Sequence, residues 1–247
     1  MNSTSKPPTP SDRLVWITGA GSGIGRALGE TYGTTGHTVI LSGRNERPLL
    51  DLQTAIHAKG GRAFSIVCDV REESSVKAAA RTIVESHGAP DILVNNAGVT
   101  VFKQFLETTV DDFDNIIQTN LRGSFLTTKA VLPSMIERRN GIVLNVVSFA
   151  AKTTYTESSV YAASKAGMAA MMESLRAEVR NHGIKIVNVF PGAVLTPIWS
   201  TKVQSTHGAA MMKAEEVARM IVELTCQPVS MMVEEVILRP QTGDINA

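Results

Sequence analysis

Cysteine is nearly absent. Cys68 and Cys226 are the only two among 247 residues, too few for a disulfide framework or a structural zinc site. They fit a reducing compartment, so a cytoplasmic location is expected. Excess charge is also lacking: 24 Lys and Arg stand against 23 Asp and Glu, a formal +1. No bulk basic field draws the chain to nucleic acid or to an anionic membrane, and neither is expected as a partner. No apolar run approaches the ~18–20 residues of a membrane span, and the N-terminus has no hydrophobic signal region. The five histidines show no metal-ligand spacing, so no metal is expected.

What is present is enough apolar residue, 43%, to bury a large core without staples. Residues 1–11 carry three prolines among Ser, Thr and Asn and read as a flexible tail. From residue 12 onward strand-like and helix-like segments alternate. Short β-branched runs lie at 14–18, 38–41, 63–68, 92–94, 142–147, 184–190 and 236–238. Helical stretches lie at 24–34, 46–58, 73–86, 110–136, 160–180 and 214–224. The strands are continuous apolar runs rather than strict alternations, as in a parallel sheet covered on both faces. This order predicts one α/β domain over residues 12–247, a doubly wound parallel sheet of about seven strands (a Rossmann fold), with a small lid around 193–213.

The first strand runs into Thr18-Gly19-Ala20-Gly21-Ser22-Gly23-Ile24-Gly25 and then a helix. A glycine turn here lets backbone N–H groups approach a pyrophosphate, with the helix N-terminus behind them. The spacing is T-G-x-x-x-G-x-G, and it points to a dinucleotide. The second strand ends Leu41-Ser42-Gly43-Arg44. Gly43 stands where an acid would select NAD by its ribose hydroxyls, and Arg44 can grip a 2′-phosphate in a charge-assisted fork. NADP(H) is therefore expected in preference to NAD(H).

A second constellation follows. Tyr161 and Lys165 are four residues apart on one helical face, and Ser148 closes a strand 13 residues before Tyr161. A free tyrosine has a pKa of about 10. An ammonium ~4 Å away at an effective dielectric of ~20 attracts the phenolate by ~4 kcal/mol. That attraction, less the cost of burial, predicts a phenol lowered towards working pH, where acid–base catalysis is most effective. Ser148 can hold a carbonyl oxygen beside it.

Together these residues resemble the short-chain dehydrogenase/reductase family over about 13–238. The resemblance is carried by the glycine turn, Cys68-Asp69-Val70, Asn95-Asn96-Ala97-Gly98, Asn120, Ser148, Tyr161-Ala162-Ala163-Ser164-Lys165 and Pro191-Gly192. It implies that Gly19, Ser22, Gly23 and Ile24 cradle the cofactor. It puts Asp69 on the adenine amino group with Val70 beside the ring, and Asn95, Ala97 and Gly98 along the cofactor. It puts Pro191, Gly192 and Thr196 near the carboxamide and Lys165 on the nicotinamide ribose. Tyr161 would be the acid–base group, Ser148 would orient the substrate oxygen, and Asn120, at a helix kink, would hold a water in a proton relay. The C-terminal Glu234–Asp244 segment departs from the family's usual ending, a departure read as leaving the active site untouched.

The expected partner is a small carbonyl compound or its alcohol, an apolar ketone or 3-oxoacyl compound, selected by residues after Ser148 and after Pro191. A homodimer or homotetramer is implied by the resemblance. Two other readings stay open. A catalytically idle NADP(H)-binding sensor or scaffold has no chemical need for all four of Asn120, Ser148, Tyr161 and Lys165. An epimerase or dehydratase usually has a larger C-terminal lobe than the 55 residues after Gly192.

Overall fold

The computed structural model describes residues 12–245, and the N-terminal tail expected over 1–11 lies outside them. Seven parallel strands form one sheet: β1 (Leu14–Thr18), β2 (Thr38–Gly43), β3 (Arg62–Val67), β4 (Ile92–Asn95), β5 (Gly141–Val146), β6 (Ile184–Pro191) and, numbered after two short strands described below, β9 (Glu235–Leu238). Their order across the sheet is β3-β2-β1-β4-β5-β6-β9. The winding reverses between β1 and β4, which are neighbours although two strands separate them in sequence. Ligands of such sheets bind at this reversal, beyond the carboxyl ends of the strands.

The strands are buried because successive side chains face opposite layers and both layers are covered. Val15 and Ile17 pack with α1 (Gly23–Thr34), α2 (Glu46–Ala58) and α8 (Ala214–Thr225) through Leu28, Leu52 and Ile221. Leu14 and Trp16 face the other way. They join the cluster of Ile83, Met135 and Met172 from α3 (Glu73–His87), α5 (Gly123–Arg138) and α6 (Ser159–Val179).

The long helix expected over 110–136 is interrupted. α4 (Val110–Ile117) passes into a π-helical segment, Gln118–Arg122, before α5 begins. Residues 193–213, expected as a lid, carry two short paired strands, β7 (Val194–Leu195) and β8 (Met212–Lys213), around α7 (Thr201–His207). No periodicity announces strands of two residues.

A polar seam crosses the otherwise apolar sheet. Asn95, Asn145 and Asn188 are in register on β4, β5 and β6 and almost fully buried. Asn95 Nδ2 donates to Asn145 Oδ1 at 3.0 Å, and Asn145 Nδ2 donates to Asn188 Oδ1 at 3.0 Å. Thr127 and Thr128 of α5 close one end, and the Ala169 carbonyl of α6 accepts from Asn188 at the other.

Candidate active site

A cleft of about 1060 Å³ opens at the carboxyl ends of the strands. All the residues expected to bind cofactor or act in catalysis line it except Asn95 and Asn120. Its floor is the glycine turn. Gly19 has φ +65°, and a Cβ there would meet Ala97 Cα at 2.8 Å, so only glycine lets the turn lie against the end of β4. Thr18 locks the same junction. Its hydroxyl donates to Val94 O and accepts from the N–H groups of Asn96 and Ala97. Ser22 precedes α1 without a side-chain cap, and no acidic residue occupies the first turn. The first N–H groups of α1 therefore lack a side-chain cap, as an anion site at a helix N-terminus requires. This set of donors fits a pyrophosphate.

Asn95 corrects the sequence reading. Its side chain belongs to the seam inside the sheet, not to the cleft. Asn96 lines the cleft and donates from Nδ2 to Thr18 O and Gly19 O. In a strand end, adjacent residues face opposite sides, and the first of the pair faces inward.

Arg44, exposed, and Asp69 line the same end of the cleft. Arg71, which no sequence pattern singled out, forks onto Asp69. Its Nε lies 3.1 Å from both carboxylate oxygens, its Nη2 is 2.6 Å from Oδ2, and its Nη1 reaches Asn115 on α4. The Arg71 hydrogen bonds hold the Asp69 carboxyl below its usual range, against burial.

At the other end are Ser148, Tyr161 and Lys165. Ser148 ends the β5 segment in extended backbone, and its Oγ accepts from Ala150 N, starting a short turn over Phe149–Ala151. Lys165 is 3% exposed, and its Nζ donates to Val146 O at 2.7 Å. Burial pulls its pKa down to about 8. The expectation that Lys165 lowers the Tyr161 phenol is not met. Burial raises Tyr161, the Ser148 hydrogen bond opposes that, and Lys165 is not among the causes. The reason is geometric, because the ammonium is turned onto the β5 carbonyl.

Asn120 lies in the π segment, fully buried. Its Oδ1 accepts from Val99 N, and its Nδ2 donates to Val99 O and to Ser164 Oγ. Ser164 in turn donates to Tyr161 O. Asn120 therefore ties the loop after β4 to the first turns of α6. A Cβ at Gly98 would sit 3.4 Å from Asn120 Oδ1 and 3.5 Å from Lys165 Nζ, so both groups border the same spot.

The remaining wall comes from three segments: Val99–Phe102, Phe149–Ser158 in part, and Thr196–Val203 in part. Phe102 stacks on Trp199 with ring centroids 5.1 Å apart and planes 7° from parallel, which joins the loop after β4 to the 193–213 segment. Asp244 and Ile245 line the cleft as well. The reading that the C-terminal segment leaves the site untouched is thus corrected. Burial, and then donation to Asp244, push the Tyr155 phenol up to about 12. Among the described residues no three His, Cys, Asp or Glu side chains come together as a metal site, and no helix is long and apolar enough to cross a membrane.

A doubly wound sheet with a glycine turn at its reversal and a Ser–Tyr–Lys set across the cleft defines a dinucleotide-dependent class of protein. The family model for short chain dehydrogenase matches residues 13–207, and the chain belongs to the short-chain dehydrogenase/reductase family of oxidoreductases. It is 36% identical over 239 residues to the sepiapterin reductase of Chlorobaculum tepidum, covering 94% of this chain and 98% of that one. The fold superposes on a metagenomic short-chain oxidoreductase in complex with NADP, at TM-score 0.83 and 30% identity, covering 94% of this chain and 98% of that one. It also superposes on an alcohol dehydrogenase from Thermococcus sibiricus complexed with 5-hydroxy-NADP, at TM-score 0.87 and 25% identity, covering 96% and 100%.

Proposed function

We propose that this protein is an NADP(H)-dependent oxidoreductase that interconverts a carbonyl compound and its alcohol. The observation that carries this reading is one continuous cleft with the glycine turn and Arg44 at one end and Ser148, Tyr161 and Lys165 at the other. The relatives named as a reductase and an alcohol dehydrogenase support the same chemistry. NADPH, when bound, supplies a hydride to the carbonyl carbon. Tyr161 gives its phenolic proton to the oxygen, and Ser148 orients that oxygen by hydrogen bonding. Lys165 holds the ribose hydroxyls and supports reprotonation of Tyr161. The relay role of Asn120 would run through its main-chain carbonyl, because its side-chain amide is already engaged. That carbonyl accepts from Ser124 Oγ at 2.8 Å and has a second lone pair. A homodimer or homotetramer is the proposed assembly, supported by the exposed Phe105, Leu106 and Val110 at the start of α4.

Parallel fluorescence titrations with NADPH and NADH test the cofactor. Tighter binding of NADPH is expected, and Arg44→Ala should weaken NADPH by about 10- to 100-fold, the range of one charge-assisted hydrogen-bonding group, while NADH changes little. Equal loss for both cofactors would remove Arg44 from 2′-phosphate recognition.

The pH profile follows from the two shifts. A raised Tyr161 stays protonated through neutrality and enters a reduction as an acid, whereas Lys165 loses its ammonium near its printed value of about 8. Reduction should therefore be flat below neutrality and fall above about pH 8. Alcohol oxidation, which needs the phenolate, should rise over the same range. A reduction rate still flat two units higher would count against a role for the Lys165 ammonium.

A further inference from the structure

We propose that residues 239–245 form a strap that makes the substrate-side wall of the cleft, with Asp244 and Ile245 as specificity-determining residues, and that the carbonyl substrate is uncharged or cationic rather than a keto acid. This rests on the carbonyl oxidoreductase reading above.

The strap begins where β9 ends. Gly192 N donates to Leu238 O at 2.7 Å, so the chain leaves the sheet beside Pro191-Gly192. A turn closed by Gly243 N to Pro240 O brings it back, with Gly243 at φ +90°. Arg239 pins the return at two places. Its guanidinium lies 4.4 Å from the centre of the Phe149 ring, one residue beyond Ser148, and its Nη2 is 2.9 Å from Asp244 Oδ2. Tyr155 holds the same carboxylate from the loop on the other side. The strap is thus tied to both ends of the loop that follows Ser148.

The charges around the cleft are unevenly placed. Arg44 and Asp69 stand together at one end, and Lys165 is committed to Val146 O. On the substrate side the charged groups lining the cleft are Glu157 and Asp244, both acidic. Arg239 does not line it. A carboxylate-bearing ketone would meet like charge without a cation to receive it. A neutral ketone would meet Ile245, the Phe102–Trp199 stack and a carboxylate with lone pairs free to accept from an N–H or O–H group.

The test uses two compounds of like shape, ethyl benzoylformate and benzoylformate, titrated by calorimetry into the full chain saturated with NADP+. Binding is then read without turnover. Wild type should bind the ester more tightly. Asp244→Asn should narrow the ester-to-acid ratio by about tenfold, mostly by tightening the acid, since one like charge is removed and Arg239 is released. A chain ended after Pro240 should bind the ester about tenfold more weakly, with its NADP+ affinity unchanged, which also shows that it folds. An unchanged ratio in Asp244→Asn together with unchanged ester binding in the shortened chain would overturn the strap, as would failure of wild type to bind the ester. A shifted ratio without NADPH-driven turnover of the ester would leave the strap standing and sink the reductase reading instead.

Discussion

Tyr161→Phe is expected to lower kcat for carbonyl reduction by about a thousandfold, within the 10²–10⁴ range of a positioned general acid. The substitution removes one oxygen and keeps the ring, so the first turns of α6 should hold their place. NADPH affinity should stay within about twofold of wild type, because the glycine turn and the Arg44 end are untouched. Steady-state kinetics together with a cofactor titration separate the two effects. A kcat within about tenfold of wild type would remove Tyr161 from the chemistry. The loss should exceed that of Ser148→Ala, because Ser148 only orients an oxygen that Tyr161 must protonate.

The largest stability effect should come from Asn145→Ala. Asn145 joins Asn95 to Asn188 at the centre of the buried seam. Truncation leaves one N–H of Asn95 and the Oδ1 of Asn188 without partners, in a region with almost no exposure. Two buried orphans at about 1–3 kcal/mol each predict a loss of roughly 3–5 kcal/mol. For a chain of this size that lowers Tm by about 10 °C. Urea unfolding should show a lower midpoint with an unchanged slope. A loss below about 1 kcal/mol would mean that the seam relaxes or takes up water. Asn145→Asp should be no milder, because it buries a charge whose oxygens face the Asn188 oxygen.

The doubly wound sheet was legible because its strands are short, continuous and β-branched, and because glycines and Pro191 mark their ends. The two ends of the cleft were legible for a related reason: Gly19, Arg44, Ser148 and Tyr161 each stand at or just beyond a strand end or on the following helix. The misses share a different cause. Choosing Asn95 over Asn96 requires knowing which residue at a strand end turns inward, and the pair Asn-Asn gives no polarity contrast to decide it. Pairing Lys165 with Tyr161 from their spacing overlooked the Val146 carbonyl, which comes from a strand in another part of the chain. Arg71, Thr18 and Ser164 act through contacts between segments that no local spacing encodes. Asp244 was set aside because its neighbours match no motif, yet the turn at Gly243 folds it back over the cleft.

The π-helical segment over Gln118–Arg122 has a consequence for how this stretch tolerates change. α4 and α5 look like one helix but are wound out of phase, by the roughly one residue that a π-bulge inserts. A one-residue deletion within 118–122 would restore a regular helix. It would also rotate everything on one side of the break by about 100°, the angle per α-helical residue. Asn120 would swing away from Val99 and Ser164, or Thr127 and Thr128 would leave Asn95. The segment thus behaves as a gear tooth between two meshed parts, and its length is constrained more tightly than the identity of most of its side chains.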